Sequence, residues 1–290
     1  MLSYKGLATL LFGGVVDKYP DFFSSVKDDL TKANIKIPFR SYVGMIFLTS
    51  SIVYFVSLFA LIFALNFFVV SFLMKIIFLL FIPFLISVVC FVILVFYPYQ
   101  KMLGRGKDIE TNLPFLLMHM GAIAASGAPP QGIFRLMSEF EEYGEVSYEM
   151  KKIVRNIDVF GIDPLTSIRQ VAEKSPSKSL KQVLFGFITT TESGGDIRSY
   201  LKNTGQQALF EWRIKRERFL QQLSAYAEFY TGLLIAAPLF IIALFAIMNM
   251  ISPTMGGFNI LDLMKISIYI IVPVLNIVFL IFLRGVEVEI

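Results

Sequence analysis

The residues whose types could do chemistry are few, and they lie far apart in the chain. Residues 104–107, Gly-Arg-Gly-Lys, come nearest to a phosphate-binding loop, but they lack the spacing and the final hydroxyl residue of such a loop. His119 is the only histidine, and its neighbours on a predicted helix supply no further ligands for a metal ion. We therefore predict no nucleotide hydrolysis by this chain and interpret His119 as a packed residue at the edge of a core.

The carboxylates and the cysteine give no stronger indication of catalysis. Glu139, Glu141, Glu142 and Glu145 surround a predicted helix end, where a solvated face or a partner contact is expected rather than a paired acid and base. The only cysteine, Cys90, lies in an apolar segment, which excludes an internal disulfide and a cysteine-based metal cluster. The sequence thus predicts a protein that is not an enzyme and that holds no cofactor.

The elements that must position these residues are mostly apolar. Hydrophobic side chains make up 56% of the 290 residues and charged ones only 17%, which is more apolar surface than a soluble core of this size can bury. Four segments are long enough to cross about 30 Å of hydrocarbon, and none contains a charged residue: 43–70, 76–97, 229–251 and 266–283. The shorter stretch 7–16 has no cleavage site after it, and we interpret it as an interfacial or docking helix.

The distribution of positive charge predicts the orientation of these spans. Six Lys or Arg residues lie in 1–42 and seventeen in 98–225, whereas the connections 71–75 and 252–265 carry one each. By the positive-inside rule, both termini and the large segment are cytoplasmic, in a multi-pass protein of the cytoplasmic (inner) membrane. Because the large segment also carries fourteen acidic residues, its charge is nearly balanced, and no nucleic-acid partner is expected.

The segment after residue 107 predicts a series of short helices. Its apolar residues recur at spacings of three and four, with Gly, Pro and Ser between the runs. The predicted fold class is an all-α membrane protein, with four transmembrane helices and a six-helix cytoplasmic bundle inserted between the second and third. The six helices cover about 108–126, 130–142, 146–160, 164–174, 178–192 and 197 onward.

The same patterns divide the chain into four parts. Residues 1–42 form an N-terminal cytoplasmic amphipathic segment, and 43–97 hold the first two transmembrane helices. Residues 98–228 form the helical-bundle domain, and 229–290 hold the last two transmembrane helices with a short cytoplasmic C-terminus.

The sharpest break in the bundle domain consists of Ser193, Gly194, Gly195 and Asp196. The two glycines permit a tight reversal, and Asp196 can cap the helix that follows. The glycines could also form an anion-binding nest, but the Asp196 carboxylate would repel an anion, so a plain turn is preferred. Since no strong stop follows, we expect the sixth helix to run into the third span as a rod.

A basic run lies on that sixth helix, just before the third span. It consists of Arg213, Lys215, Arg216 and Arg218, beside Trp212. Basic and aromatic side chains near a span end are typical of a membrane-surface anchor. A docking patch for a partner is the alternative, and one run can serve both purposes.

The order of a span pair, a helical domain and a second span pair resembles the platform protein of type II secretion, type IV pilus, archaellum and Tad-type machines, especially the archaeal and Tad-like branch. Four stretches carry the resemblance: 112–129, with a leucine-proline, a helix and a small-residue turn; 159–165, around Gly161; 191–201, with Ser-Gly-Gly-Asp and a following Tyr-Leu; and 30–35, before the first span.

The resemblance implies a non-enzymatic platform in the cytoplasmic membrane that couples a hexameric secretion ATPase to pilin-like subunits. It makes Gly161, Ser193, Gly194, Gly195 and Asp196, with the basic run, candidates for coupling or partner contact. Many family members carry the helical domain twice and this chain carries it once, so a homodimer or a heterodimer with a sibling is implied. A subunit of a small-molecule transporter is the alternative function, and the lack of charge inside the spans disfavours it.

Overall fold

A computed structural model describes residues 6, 8–9, 23–66, 72–255 and 257–287. Its backbone is almost entirely helical, as predicted, and the described residues include four helices that are long and apolar enough to cross a membrane. These are Phe39–Leu65, Met74–Ala125, Ile197–Ile251 and Ile260–Gly285. The chain divides into two compact units, Met1–Phe210 and Glu211–Ile290.

From residue 23 onward, the first unit contains a short helix, α1 (Ser24–Lys32), and a long one, α2 (Phe39–Leu65). Helix α1 ends because Asn34 adopts a left-handed conformation with a φ of 55°. The N–H groups of Asn34 and Ile35 then donate to the carbonyls of Thr31 and Leu30, at 3.2 and 3.1 Å. This is a Schellman motif, and it closes α1 within residues 30–35.

The apolar face of α1 packs on the start of α2. Phe23, Val26 and Leu30 form a buried cluster with residues of α2, among them Tyr42 and Ile46. The helix before the first span therefore has one apolar face that is buried. The docking helix predicted at 7–16 lies outside the described residues, except for positions 8 and 9.

Helix α3 (Phe72–Ala125) is one unbroken helix of 54 residues. We predicted that the second span ends at residue 97 and that a separate helix begins at 108, and this break is wrong. Pro98 cannot donate to the carbonyl of Leu94, but that oxygen accepts a hydrogen bond from the Tyr42 hydroxyl at 2.8 Å. The tertiary contact satisfies the group that Pro98 leaves without its helical partner, so the helix continues.

The next helices agree closely with the predicted series. They are α4 (Pro130–Glu139), α5 (Glu145–Asp158), α6 (Pro164–Lys174) and α7 (Lys178–Glu192), with a 3₁₀ turn at Glu141–Tyr143 between α4 and α5. The second predicted helix was too long, because the chain leaves helical geometry at Phe140 and turns through Gly144, whose φ is 58°. Asp163 and Ser177 cap α6 and α7 by accepting from Thr166 N–H and Leu180 N–H, at 3.1 and 3.2 Å.

One hydrophobic core joins these helices to the C-terminal part of α3. Helix α3 contributes one apolar face to it, since Leu113, Leu116, Leu117 and Met120 are buried in the core and Ile123 packs against it. Phe134 of α4 and Phe187 of α7 meet edge to face, with ring centroids 5.1 Å apart. We call residues 108–210 the body.

The N-terminal end of helix α8 (Ile197–Tyr230) lies close against α3. A Cβ atom on Gly205 would lie 3.1 Å from the Leu117 backbone of α3, and one on Gly121 would lie 3.3 Å from the Lys202 backbone. The hydroxyl of Tyr200 donates to the carbonyl of Val183 in α7 at 2.8 Å. Glycine therefore permits backbone contact between α3 and α8 that a larger residue would prevent.

The second unit holds the rest of α8 and the last two spans. After Tyr230 the helix continues as a π-helix (Thr231–Ala236) and then as α9 (Ala237–Ile251). A two-residue ladder of β1 (Thr254–Met255) and β2 (Phe258–Asn259) connects it to α10 (Ile260–Ile266), a second π-helix (Ser267–Ile271) and α11 (Val272–Glu287). The expected continuation of the sixth helix into the third span is confirmed.

Each π-helix ends just before the proline of its span, Pro238 or Pro273. A wider turn relieves the clash between a proline ring and the carbonyl four residues earlier. The two helices are joined by the Tyr230 hydroxyl, which donates to the Asn276 side-chain oxygen at 3.1 Å. Asn276, a polar residue within the fourth span, therefore has a partner inside the unit.

Candidate coupling site

The break between α7 and α8 is a helix C-cap followed by a helix N-cap. The N–H of Gly194 donates to Thr191 O at 3.1 Å and the N–H of Gly195 to Thr190 O at 2.8 Å, which is a Schellman motif closing α7 after Ser193. Gly194 has a φ of 71°, in the left-handed region that favours glycine. Of the two positions, only 194 has a backbone conformation that calls for glycine.

Gly195 and Asp196 have different constraints. A Cβ on Gly195 would lie 3.1 Å from the Thr190 methyl group, so crowding rather than φ disfavours a side chain there. Asp196 accepts from the Ser199 hydroxyl at 2.6 Å and from the Arg198 N–H at 2.9 Å. These hydrogen bonds, the one from Ser199 above all, hold the pKa of the Asp196 carboxyl below its usual value. The carboxylate is engaged as a helix cap, which agrees with the plain-turn interpretation.

Gly161 also has a positive φ, in the turn that follows α5. Its φ is 63°, and its N–H donates to Ile157 O at 3.1 Å. The two residues before it, Val159 and Phe160, are large apolar side chains outside the spans that expose 69% and 63% of their surface. This turn therefore presents apolar surface.

The turns at Gly161 and Gly194 lie at the same end of the body. Helix α5 begins beside α3, where Asp108 accepts from the Glu145 N–H at 2.7 Å, and so it ends at the opposite end of the body. Helices α6 and α7 are joined by a short turn, and Arg169 of α6 pairs with Glu192 of α7 at 2.9 Å. The last turn of α7 thus returns to the N-terminal half of α6, close after Gly161. We call this the distal end, and it holds five predicted candidates: Gly161, Ser193, Gly194, Gly195 and Asp196.

The other four candidates lie in the second unit. Arg213, Lys215, Arg216 and Arg218 are exposed on α8. The guanidinium of Arg216 lies 5.9 Å from the ring centroid of Phe219, on the same helix. The structure therefore assigns the basic run and the distal turns to different units.

A buried ionic cluster joins α1, α3 and α5, and the sequence reasoning did not find it. The Arg105 side chain is only 6% exposed and contacts Glu145 and Glu149, each at 2.7 Å. Arg105 also donates to the carbonyl of Lys32, at the end of α1. Lys152 adds a second cation to Glu149 at 3.0 Å. We call these residues the Arg105 junction.

Glu145 is half-buried, with 35% of its side chain exposed, and it pairs with Arg105 within the chain. Glu145 and Glu149 are four residues apart, which puts both on one face of α5, and that spacing was the available indication of a shared partner. Glu139, Glu141 and Glu142 are exposed, as predicted, and Glu141 pairs with Lys151 at 2.8 Å.

His119 packs at the edge of the body. Its ring meets those of Phe140 and Tyr143, with centroids 6.2 and 5.6 Å away, and its Nδ1 atom contacts the Tyr143 hydroxyl. Within the part of the chain that the structure describes, no group of three or more His, Cys, Asp or Glu residues could hold a metal ion.

Comparison with known proteins identifies one family. Residues 116–245 match the family of the type II secretion system (T2SS) protein F. The matched range covers much of the body and the helix that leads from it into the third span. No solved structure gives a significant match.

The curated relatives are archaeal. An uncharacterised protein of Methanocaldococcus jannaschii is 25% identical over 189 residues, which cover 64% of this chain and 32% of that protein. Flagella accessory protein J of the same organism is 21% identical over 66% of this chain and 33% of its own length. Flagella accessory protein J of Methanococcus voltae is 22% identical over 60% of this chain and 30% of its own.

The chain thus spans about a third of the length of these relatives. The family match runs from the C-terminal part of α3 through the body to the third span, and it includes most of the stretches that carry the resemblance. Residues 116–245 of the chain are thus similar to the protein F family of type II secretion systems, and the relatives with a stated role are archaeal flagella accessory proteins.

Proposed function

We propose that this chain is a membrane platform that couples a cytoplasmic hexameric ATPase to the assembly of pilin-like subunits in a secretion or archaellum-type machine. Its four apolar helices make it a multi-pass membrane protein. The family that residues 116–245 match and the names of the archaeal relatives support the platform role. In this role the chain transmits movement and performs no chemistry itself.

The observation that carries the proposal is the continuity of α3. One helix contains the second apolar span at its N-terminal end and part of the body's core at its C-terminal end. The stretch from Tyr97 to Ala125 extends about 40 Å at roughly 1.5 Å per residue. A force applied at the distal end of the body would therefore reach the membrane through a helix and not through a flexible linker.

Two further features hold the helices of the body rigidly together. The Arg105 junction fixes α1 and α5 to α3 near the span. The glycine contacts at Gly121 and Gly205 fix α8 to α3 farther along the helix. Because a buried, fully paired cation has one satisfactory arrangement of partners, we expect the body to move as a unit.

The proposed orientation places both termini and the body in the cytoplasm. The charge asymmetry between the long and short connections supports it. The distal end then faces the cytoplasm, and the exposed side chains of Val159 and Phe160 are the proposed contact for the ATPase. Reporters fused after Lys75 or at Gly257 should be external, and one fused at Glu142 should be cytoplasmic; a cytoplasmic reporter at Gly257 would refute the orientation.

The proposed function is tested by deleting the gene in its own host and purifying the tagged full-length chain from membranes. We expect the deletion to abolish surface fibres, the native chain to restore them, and a secretion ATPase to copurify with it. The variant Phe160→Asp should lose the ATPase while keeping normal abundance in the membrane. Its matched control is Phe210→Asp, which changes another exposed phenylalanine of the first unit.

Two results would contradict this proposal. If the deletion strain assembles fibres at the native level, the chain is not a platform for them. If Phe160→Asp and Phe210→Asp retain the ATPase equally, the distal end is not its binding surface.

A further inference from the structure

A group of exposed apolar and aromatic side chains lies on one side of the body. The rings of His119, Phe140 and Tyr143 pack together, with centroids between 5.6 and 6.3 Å apart. Phe115 lies one helical turn before His119 on α3, and Leu136 lies four residues before Phe140 in the last turn of α4. Phe115, Leu136 and Phe140 expose 37%, 42% and 41% of their surface. We call Phe115, His119, Leu136 and Phe140 the side patch.

The turn that carries Phe140 is held in place, so the exposure of its ring is a fixed feature of the fold. The Phe140 carbonyl accepts from the Ser147 hydroxyl of α5 and from the Tyr143 N–H. The Tyr143 hydroxyl contacts Nδ1 of His119 on α3. A contiguous exposed apolar surface rimmed by polar residues is typical of a docking surface, and a preorganised one loses little entropy on binding.

Three carboxylates border the side patch. Glu139, Glu141 and Glu142 lie at and just after the end of α4, and all are exposed. Glu141 pairs with Lys151 at 2.8 Å. Glu139 and Glu142 make no ion pair within the ranges that the structure describes. Burial first, and then the Glu142 carboxylate, raise the pKa of Tyr143, which places that charge beside the rings. The border of the side patch is therefore net negative.

Position and charge together restrict what can cover the side patch. Phe115 follows the end of the predicted second span by eighteen residues, about 27 Å along α3, which is beyond the layer of lipid head groups. Carboxylates also repel the phosphates of anionic lipids and of nucleic acids. The complementary occupant is a protein segment that carries lysine or arginine beside apolar residues.

The arrangement of the side patch favours a helix as that segment. Its side chains form two rows, each about one helical turn long: Phe115 with His119 on α3, and Leu136 with Phe140 at the end of α4. An amphipathic helix presents anchor residues at matching intervals of three and four. Basic residues on the flank of such a helix would lie opposite the glutamates.

We propose that the side patch docks a basic amphipathic helix of a partner protein. The apolar face of that helix packs on Phe115, Leu136 and Phe140, and its lysine or arginine side chains pair with Glu139 and Glu142. The side patch adjoins the start of α5, whereas the distal end holds the turn that follows α5. The inference therefore goes beyond the proposed ATPase contact and does not depend on it.

The first test measures the binding of two fluorescent model peptides to the full-length chain in nanodiscs of zwitterionic lipid. The peptides share one leucine face and carry either lysine or glutamate on the other. After subtraction of the signal from empty nanodiscs, we expect only the lysine peptide to bind. Phe140→Ala should weaken its binding by about 5- to 30-fold, the scale of an aromatic anchor. Phe210→Ala, at another exposed phenylalanine of the first unit, should leave it unchanged.

The same assay tests the border charges. Glu142→Lys should weaken binding of the lysine peptide by roughly 3- to 10-fold in low salt, and by less in about 0.5 M salt, because exposed charges are screened. The matched control is Glu173→Lys, which reverses an exposed glutamate of α6 outside the side patch. Both substitutions change exposed side chains, and unfolding in urea should show that the variants are equally stable.

The second test identifies the natural occupant by its chemistry. A photo-cross-linking residue in place of Phe140, in membranes of the native host, should form an adduct with a segment rich in lysine and arginine. Glu142→Lys should reduce the yield of this adduct. Changing a basic residue of the mapped segment to glutamate should then restore it, because the swapped pair is again complementary.

Four outcomes would overturn the proposal. Three are equal binding of the two peptides, equal effects of Phe140→Ala and Phe210→Ala, and equal effects of Glu142→Lys and Glu173→Lys. The fourth is an adduct at position 140 with lipid, with an acidic segment or with a second copy of this chain, or no adduct at all. None of these readouts involves fibres or ATPase retention, so a failure here is distinct from a failure of the platform role.

Discussion

The Arg105 junction predicts a large and specific loss of stability on changing Glu149 to Ala. The substitution removes a carboxylate whose side chain is only 2% exposed. Two contacts of Glu149 are lost, to Arg105 at 2.7 Å and to Lys152 at 3.0 Å. The guanidinium stays buried between helices α1, α3 and α5.

The size of the loss in stability depends on the partners that Arg105 keeps. Removing one partner of a buried ion pair costs about 3–5 kcal/mol when the other charge is left alone. Arg105 keeps Glu145 and the carbonyl of Lys32, so we expect a smaller loss, about 2–3 kcal/mol. Glu149→Gln should cost less than Glu149→Ala, because an amide oxygen still accepts a hydrogen bond.

The measurement is pulse proteolysis of the purified full-length chain across a urea gradient in detergent. The matched control is Asp158→Ala, which breaks the ion pair with Arg135, whose side chains are 41% and 62% exposed, respectively. That pair should contribute under about 1 kcal/mol. Equal losses for Glu149→Ala and Asp158→Ala would refute the view that the junction holds the three helices together.

Three further predictions concern the distal turn and the contact of α8 with α3. Gly194→Val should destabilise the chain by about 1–2 kcal/mol and reduce fibre yield at normal abundance. Gly194→Asn should be tolerated, because asparagine adopts positive φ more readily. Equal fibre yields for the two variants would mean that the turn plays no part in coupling. Gly205→Ala should cost about 1–3 kcal/mol in the same urea assay, since its Cβ would lie 3.1 Å from the Leu117 backbone; no loss would show that the helices move apart freely. Because the pKa of Asp196 is lowered by its bond from Ser199, the capping contribution should be present above about pH 4 and lost as pH falls through the folded pKa. The stability difference between native and Asp196→Ala should therefore shrink from about pH 5 towards about pH 3, and a difference that grows would contradict the assignment.

The helix ends of the body were predictable because they depend on local chemistry. Gly127, Gly161 and Gly194 adopt φ values of 88°, 63° and 71°, a region that glycine enters without a steric penalty. Each ends a helix at or within a few residues of the predicted position. The apolar face of α3 was predictable for a similar reason, since the spacing of its leucines follows the helical repeat.

The continuity of α3 was not predictable from local signals. Pro98 is normally a reason to end a helix, and the compensating Tyr42 hydroxyl lies 52 residues from Leu94, which it contacts. The Arg105 junction depends on partners 40 and 44 residues away. Single-sequence reasoning assigns such charges to a solvated surface because it has no access to contacts of that range.

The glycines at the α3–α8 contact were missed for a related reason. Gly121 and Gly205 lie inside helices with negative φ, so no turn or cap marks them. Their role appears only when the facing backbone is known, because a Cβ at either position would lie 3.3 or 3.1 Å from it. A glycine within a helix is thus an indication of close packing, whose partner the sequence alone does not identify.

Fibre counts for two substitutions at Gly104 test most directly whether movement is transmitted through α3. Gly104 lies in α3 between the span and the core, and a Cβ there would meet nothing within 4 Å, so neither variant clashes through its Cβ. Gly104→Pro removes a helical hydrogen bond and kinks the helix, whereas Gly104→Ala favours it by about 0.5–1 kcal/mol. At equal abundance in the membrane, we expect Gly104→Ala to assemble fibres at the native level and Gly104→Pro to assemble few or none. Equal fibre counts for the two variants would contradict transmission of movement through an unbroken α3.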